Sequence, residues 1–327
     1  MKKIVFYNTL ILFLIIFTFE ILLRFFFDIT PQGLSKGIIN EQSSKPRFNY
    51  SNIKDGKVFG KKIFTDTNGF RINKKEKLQN YDNENIYFVG GSVTFGSGVD
   101  QSDTFSGILG KRLKNFNIFN ASVIGSNLEN NYYILKNKIP KENLKKIYIN
   151  FSLDDILFQE IVQAEENLKK VDESLLNKFK NNQFFLKLNA FIRSKSVMYV
   201  WIKGFIFNAE QGYYVHANET YKNPQNINLL KKKLDMIKNY NDDLNNKITF
   251  LIIPYSYQIK KNNCKSEDLS EKIIKRELSE RKFKFFLIKN IFCENDKKNK
   301  IFLSQDPSHL TGYGHQIVAD YIEQDLR

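Results

Sequence analysis

Asn85-Ile-Tyr-Phe-Val-Gly-Gly-Ser-Val-Thr-Phe-Gly-Ser-Gly-Val99 decides the fold, because an apolar run stops abruptly on two glycines and a serine. Ile86, Tyr87, Phe88 and Val89 are β-branched or aromatic, the composition of a strand covered on both faces. Gly90 and Gly91 permit close backbone approach. The stretch therefore reads as a buried strand that delivers Ser92 to a loop at its carboxyl end. Open α/β sheets place their ligands there, and a hydroxyl at that point is a candidate nucleophile if a histidine reaches it. Other glycine motifs fit poorly. A phosphate-binding loop needs lysine where Ser97 stands, the α/β-hydrolase elbow needs glycine where Thr94 stands, and no dinucleotide fingerprint occurs. The competing reading is a Gly/Ser-rich strand-to-helix turn without chemistry.

Working outward, Phe105, Ile108, Leu109 and Leu113 recur at helical spacing after the serine loop. Asn117 to Val123 reads as a second strand, ending in Ile124-Gly125-Ser126-Asn127, and Leu128 to Lys138 as the next helix. Lys146 to Phe151 is a third strand, ending in Ser152-Leu153-Asp154-Asp155. Ile248 to Pro254 is a fourth, preceded by a helix carrying Leu229, Leu230, Leu234, Ile237 and Leu244. Phe283 to Phe292 is a fifth and weaker one. Strands alternating with helices predict an α/β domain with a mostly parallel five-stranded sheet between two helical layers. Leu157 to Asn245 breaks this rhythm and reads as a helical insertion over the sheet. Within it, Phe184 to Phe207 mixes aromatics with Lys187, Arg193, Lys195 and Lys203. That segment suits either a membrane interface or the packed underside of a lid.

Toward the N-terminus, residues 29–82 read as a linker merging into irregular structure, with Phe64 to Asn73 a hairpin laid against the domain. From Ile4 to Phe27 the only ionisable side chains besides Tyr7 are Glu20 and Arg24. The length meets the roughly 20 residues a bilayer-spanning helix needs, against about 7 to 15 for the core of a cleavable signal. Residues 1–28 are therefore expected to anchor the chain, with a cleaved signal peptide as the alternative. Lys2 and Lys3 favour a cytoplasmic N-terminus and an extracytoplasmic remainder.

Hydrophobic residues make up 42% of the 327 and aromatics 14%, enough apolar surface for a folded core rather than a disordered chain. The formal charge of +15 suits an anionic membrane, an acidic glycan or nucleic acid. The lysines lie in short scattered clusters such as Lys74 to Lys77 and Lys231 to Lys233. No aromatic-interleaved basic motif accompanies them, so nucleic acid is not an expected partner. The two cysteines, Cys264 and Cys293, lack metal-ligand spacing. They either pair in an oxidising compartment or stay as buried thiols.

Asp306-Pro-Ser-His309-Leu-Thr311 is the second informative stretch. A histidine three residues after an aspartate, in a loop before a helix over Gly312 to Leu326, can be oriented by that carboxylate. The chain has three histidines, His216, His309 and His315. His309 stands in the loop, whereas His315 falls on the helix, facing solvent or packing. Serine needs a base to take its proton, and imidazole is suited to that near neutral pH.

Together these stretches resemble the SGNH/GDSL hydrolase family, here as a membrane-anchored member. Gly90-Gly91-Ser92 stands where that family has its first block, Asn120 to Asn127 looks like the second, and Asp306 to His309 matches the last. The resemblance implies an SGNH/flavodoxin-like three-layer fold over about residues 83–327, with Ser92 as nucleophile, His309 as base and Asp306 as orienter. It also implies an oxyanion hole from the Ser92 and Gly125 backbone N–H groups. The third block departs from the pattern. Asp154 stands where the family has an asparagine that donates to the oxyanion, and one such donor is worth roughly 3 to 4 kcal/mol. Either Asp154 is protonated by burial beside Asp155, or another donor substitutes, or turnover is weak.

The expected activity is ester hydrolysis on O-acyl groups, acetyl above all, of a cell-envelope glycan or a related small ester. Transfer of the acyl group to a sugar hydroxyl and a catalytically silent glycan-binding role are the alternatives, and a basic membrane-surface scaffold is a third reading. No cofactor, metal or specific protein partner is implied.

Overall fold

The computed structural model describes residues 2–27, 29–34, 38, 52–74, 80–156, 182–260 and 264–327. The central strand, β4 (Glu84–Val89), shows why the chain forms a layered sheet. Its side chains alternate, with Tyr87 and Val89 entering one apolar cluster and Ile86 and Phe88 another on the opposite face. The same division holds in β6 (Leu144–Phe151), where Ile147 and Ile149 point one way and Tyr148 the other. It holds again in β7 (Ile248–Ile252), with Phe250 and Leu251 on opposite faces.

Helices α4 (Leu128–Lys138), α8 (Pro224–Asp243) and α9 (Leu269–Glu280) cover the first face through residues such as Ile134, Leu234 and Ile274. Helices α3 (Phe105–Arg112), α10 (Ile288–Glu294) and α11 (Gly312–Leu326) cover the second with Leu109, Phe292 and Val318.

Strand order is β1-β2-β3-β5-β4-β6-β7-β8, eight strands in one sheet. Five of them are parallel: β5 (Phe116–Asn120), β4, β6, β7 and β8 (Lys284–Leu287). The other three come from the segment expected as linker. They are β1 (Gly56–Val58), β2 (Lys61–Thr65) and β3 (Arg71–Ile72), joined antiparallel and tied to β5 through Arg71 opposite Asn120. The five-stranded expectation is thus corrected to eight. These pieces are two to five residues long, too short for a period-2 pattern to stand out.

The fifth expected strand, Phe283 to Phe292, is also shorter than read. β8 ends at Leu287, and Ile288 and Phe292 then enter the core four residues apart, as a helix requires.

Because β5 and β6 flank β4 on opposite sides, the chain reverses its winding direction at β4. A crevice outside the carboxyl end of β4 follows from that topology.

Immediately before α8 the described residues form α5 (Gln183–Lys195), α6 (Val197–Phe207) and α7 (Ala209–Thr220). Residues 157–181 of the expected insertion lie outside the described residues, as does most of the linker between 35 and 51. The N-terminal α1 (Lys2–Phe26) spans 25 residues with a mean hydropathy of 2.3 over its most apolar window, long and apolar enough to cross a membrane. Its C-terminal end packs Leu23 against Val197 and Val200 of α6. Glu20 accepts hydrogen bonds from Ser196 Oγ and from the N–H groups of Val197 and Met198, at 2.9, 2.9 and 2.8 Å. A carboxylate there satisfies donors that the first turn of a helix leaves unpaired.

Of the Phe184 to Phe207 segment, Val197 and Val200 are packed, while Phe184, Phe191, Phe205 and Ile206 stay exposed. Only part of the segment is packed, and that part meets the end of α1. Cys264 and Cys293 form a disulfide, with Cα atoms 5.6 Å apart, which settles the choice left by the sequence.

Candidate active site

Ser92 follows β4 directly and opens α2 (Ser92–Phe95), a single turn whose N-cap is Gly91. Glycine at 90 is required by crowding, since a Cβ there would lie 2.5 Å from Thr94 Oγ1 and 3.0 Å from Asn150 Cβ. The turn thus sits tightly on the end of β6. Asn120, at the end of β5, fixes it from the other side by donating to the Thr94 carbonyl at 3.1 Å.

Ile124-Gly125 forms a tight turn closed by the Ser126 N–H on the Val123 carbonyl at 3.1 Å, and φ +74° at Gly125 is the conformation glycine adopts there. This turn comes to the serine, because a Cβ on Gly91 would stand 3.3 Å from the Ser126 carbonyl oxygen.

The loop before α11 folds back on itself. Leu303 N–H donates to the His309 carbonyl and Asp306 N–H to the Leu303 carbonyl, at 2.9 and 3.1 Å. Ser256 N–H, just past β7, holds the Pro307 carbonyl at 2.8 Å. His309 Nε2 lies 2.8 Å from Ser92 Oγ, and His309 Nδ1 lies 2.9 Å from both oxygens of Asp306. The carboxylate fixes the tautomer: Nδ1–H donates to Asp306, and Nε2 accepts from the serine hydroxyl.

Asp306 is buried and also accepts from the Ser308 and His309 N–H groups at 3.0 and 2.8 Å and from Gln32 Nε2 at 3.2 Å. Burial alone would raise its carboxyl. The His309 imidazole and these N–H donors outweigh it and hold the group below the usual carboxylate range. The Phe59 ring packs edge-on against the imidazole, centroids 4.9 Å apart.

Ser92, His309 and Asp306, singled out by their motifs, are therefore within hydrogen-bonding reach of one another, and Gly125 lies in the neighbouring turn. Asp154 sits on the turn Leu153–Ile156 and is exposed, so the burial expected of it is not found. Burial falls instead on Asp155, which accepts the Ser152 N–H at 3.0 Å. Burial, with Asp154 adding repulsion, pushes the Asp155 carboxyl well above its ordinary range. The Tyr255 hydroxyl is pushed up likewise, by burial and by the Asp154 carboxylate it hydrogen-bonds.

Two residues of the site were not read from sequence. Gln32, in the segment taken as linker, bonds Asp306. Arg71 is buried and donates to the Phe95, Gly96 and Val99 carbonyls, the last two at 2.7 and 2.6 Å, bracing the loop that follows Ser92. Burial brings its guanidinium down to about 10, against a partial lift from Asp100, so it stays charged at neutral pH. The local sequence, Asn68-Gly-Phe-Arg71-Ile-Asn73, does not mark this role.

His315 is buried in α11 rather than facing solvent, its Nδ1 accepting the Phe105 N–H at 3.3 Å. Burial, reinforced by the Arg71 and His309 charges, lowers it to about 3. Below pH 6.5 the unfolded chain binds a proton that the folded chain refuses until about pH 3, so stability falls as pH falls through that window. The cost reaches roughly 3 kcal/mol at pH 4. His315→Gln is expected to lose correspondingly less stability than the parent between pH 7 and pH 4, as read from paired urea unfolding curves.

No known family profile and no curated protein matches the sequence. Among solved structures, TesA matches at 12% identity and a TM-score of 0.43, over 75% of this chain and 98% of that one. A lipase/acylhydrolase from Enterococcus faecalis matches at 11% identity and a TM-score of 0.42, over 74% and 95%. The acetyl xylan esterase AlAXEase matches at 13% identity and a TM-score of 0.44, over 74% and 100%.

Proposed function

We propose that this chain is a serine esterase of the SGNH/GDSL type that removes O-acyl groups, acetyl above all, from a cell-envelope glycan. In the same reading, α1 anchors it in a membrane with the α/β domain on the extracytoplasmic side. The observation that carries the catalytic reading is the continuous hydrogen-bond chain from Ser92 Oγ through His309 to Asp306.

In this reading Nε2 takes the hydroxyl proton as Oγ bonds to the ester carbonyl carbon, and the carbonyl π electrons move onto oxygen. Asp306 stabilises the imidazolium. The Ser92 N–H, in the first turn of α2, and the Gly125 N–H receive the oxyanion. Collapse returns the proton from Nε2 to the departing alkoxide and leaves an acyl-serine. Water, deprotonated by the same nitrogen, then releases the carboxylic acid.

The apolar length of α1, the paired lysines at its start and the Cys264–Cys293 disulfide support the anchored, extracytoplasmic placement. Passing the acyl group to a sugar hydroxyl instead of water would use the same residues. A silent glycan-binding role is favoured by one observation, the exposed carboxylate of Asp154 in the third block.

A fluorophosphonate probe separates the readings. The esterase or transferase reading expects a covalent adduct on Ser92, located by mass spectrometry of the digested protein. An unlabelled Ser92 in folded full-length protein overturns it in favour of the silent role.

A further inference from the structure

A cavity of about 370 Å³ opens where α5, α6 and α7 meet the segment carrying Gln32 and the loop carrying Gln305, one residue before Asp306. α6 reaches that loop because residue 204 is glycine, where a Cβ would stand 2.6 Å from Gln305 Oε1. Arg193 and Lys203 line the cavity together with Tyr213 and His216. Among the described residues both cations meet neutral partners: Arg193 Nε donates to Gln32 Oε1 at 2.7 Å, and Lys203 Nζ to Asn189 Oδ1 at 3.2 Å. Among the described residues neither has a carboxylate within ion-pairing distance. Two half-buried cations kept side by side without a counter-charge cost desolvation and repulsion, and the lowered Lys203 ammonium reflects burial first and Arg193 second. Such a pair is satisfied by an anion from outside.

The cavity has room for more than one phosphate group, and its walls include Val200 and Ala209. Val200 also packs with Leu23 at the end of α1, so this site adjoins the juxtamembrane face on which Phe205 and Ile206 are exposed. Gln32 joins it to the catalytic chain, accepting from Arg193 and donating to Asp306.

We propose that this cavity is an anion subsite in which Arg193 and Lys203 hold a phosphate group on the molecule that brings the acyl group to Ser92. The identification of that molecule as the acyl donor rests on the esterase reading; phosphate binding itself does not.

The test therefore measures binding in a Ser92→Ala background, with full-length protein in a neutral detergent. Two probes are titrated by calorimetry, glycerol 3-phosphate and short-chain phosphatidylglycerol. The expected result is saturable binding of at least one probe, weakened about tenfold or more by Lys203→Gln and by Arg193→Gln and largely restored in Lys203→Arg. Tighter binding of the lipid assigns the phosphate to a headgroup, and equal binding assigns it to a water-soluble phosphate ester. Absence of saturable binding by either probe, or binding undiminished in both glutamine variants, overturns the subsite. If the probe binds in this charge-dependent way while fluorophosphonate fails to label Ser92, the esterase reading falls and the subsite stands. On catalytically competent protein, Lys203→Gln is expected to raise KM for a lysophosphatidic acid ester about tenfold more than for the matching monoacylglycerol. Equal KM changes would detach the subsite from acyl delivery.

Discussion

Ser92→Ala lowers ester turnover by a factor on the order of 10⁴ to 10⁶, leaving only what binding and the oxyanion donors contribute. In the proposed mechanism the hydroxyl is the atom that bonds to the acyl carbon, and no neighbouring group can stand in for it at 2.8 Å from His309 Nε2. His309→Ala is expected to fall to a similar floor. The double variant should be little slower than either single one, because the two side chains act in one step and their losses do not add. Steady-state kinetics with p-nitrophenyl acetate on the folded variants measure this. Parent-like turnover by Ser92→Ala would remove the nucleophile from the mechanism, and fully additive losses would separate the two residues.

The second large effect is expected at Arg71, which is buried behind the loop that follows Ser92. Its guanidinium fans out to three backbone carbonyls of the loop after Ser92 and lies over the Phe95 ring at 4.9 Å. Arg71→Met removes three charge-assisted bonds at once, although the Gly96 carbonyl keeps the Val99 N–H and the Phe95 carbonyl the Asn120 amide, and a loss of about 3 kcal/mol is expected after the relief of a buried cation is counted. Arg71→Lys should recover little, since one ammonium cannot reproduce a planar fork. Urea unfolding gives the stability loss. Fluorophosphonate labelling of the fraction that remains folded reports whether Ser92 has lost its position, because a loosened α2 slows labelling while an unaffected one does not.

These two residues show what a reader of the sequence can and cannot see. Ser92 is legible because the chemistry forces local spelling: an apolar strand, glycines where a Cβ would strike Thr94 and Asn150, then a hydroxyl. Asp306 and His309 are legible for a similar reason, as the carboxylate reaches an imidazole and its N–H groups only three residues away. The parallel strands announce themselves by being apolar on both faces. Arg71 and Gln32 carry no such local mark. Their roles exist only once β3 is set beside β5 and the chain leaving α1 is laid along the Asp306 loop, contacts that span 24 to 28 residues for Arg71 and 274 for Gln32. The short antiparallel strands escape for a related reason, since their partners rather than their own two to five residues define them. Asp155 is the opposite lesson: two adjacent acids look equivalent in sequence, and only the turn decides which one is buried.

The hydrogen bond from Gln32 to Asp306 also sets a working distance. Six residues separate Phe26, the end of α1, from Gln32, and a fully stretched chain of that length covers about 22 Å. With α1 in a bilayer, the Asp306 carboxylate stands on a leash of that length plus the reach of the Gln32 side chain. In the proposed reading, O-acyl groups close to the lipid surface fall within reach, and polymer held farther out must come inward to be deacylated.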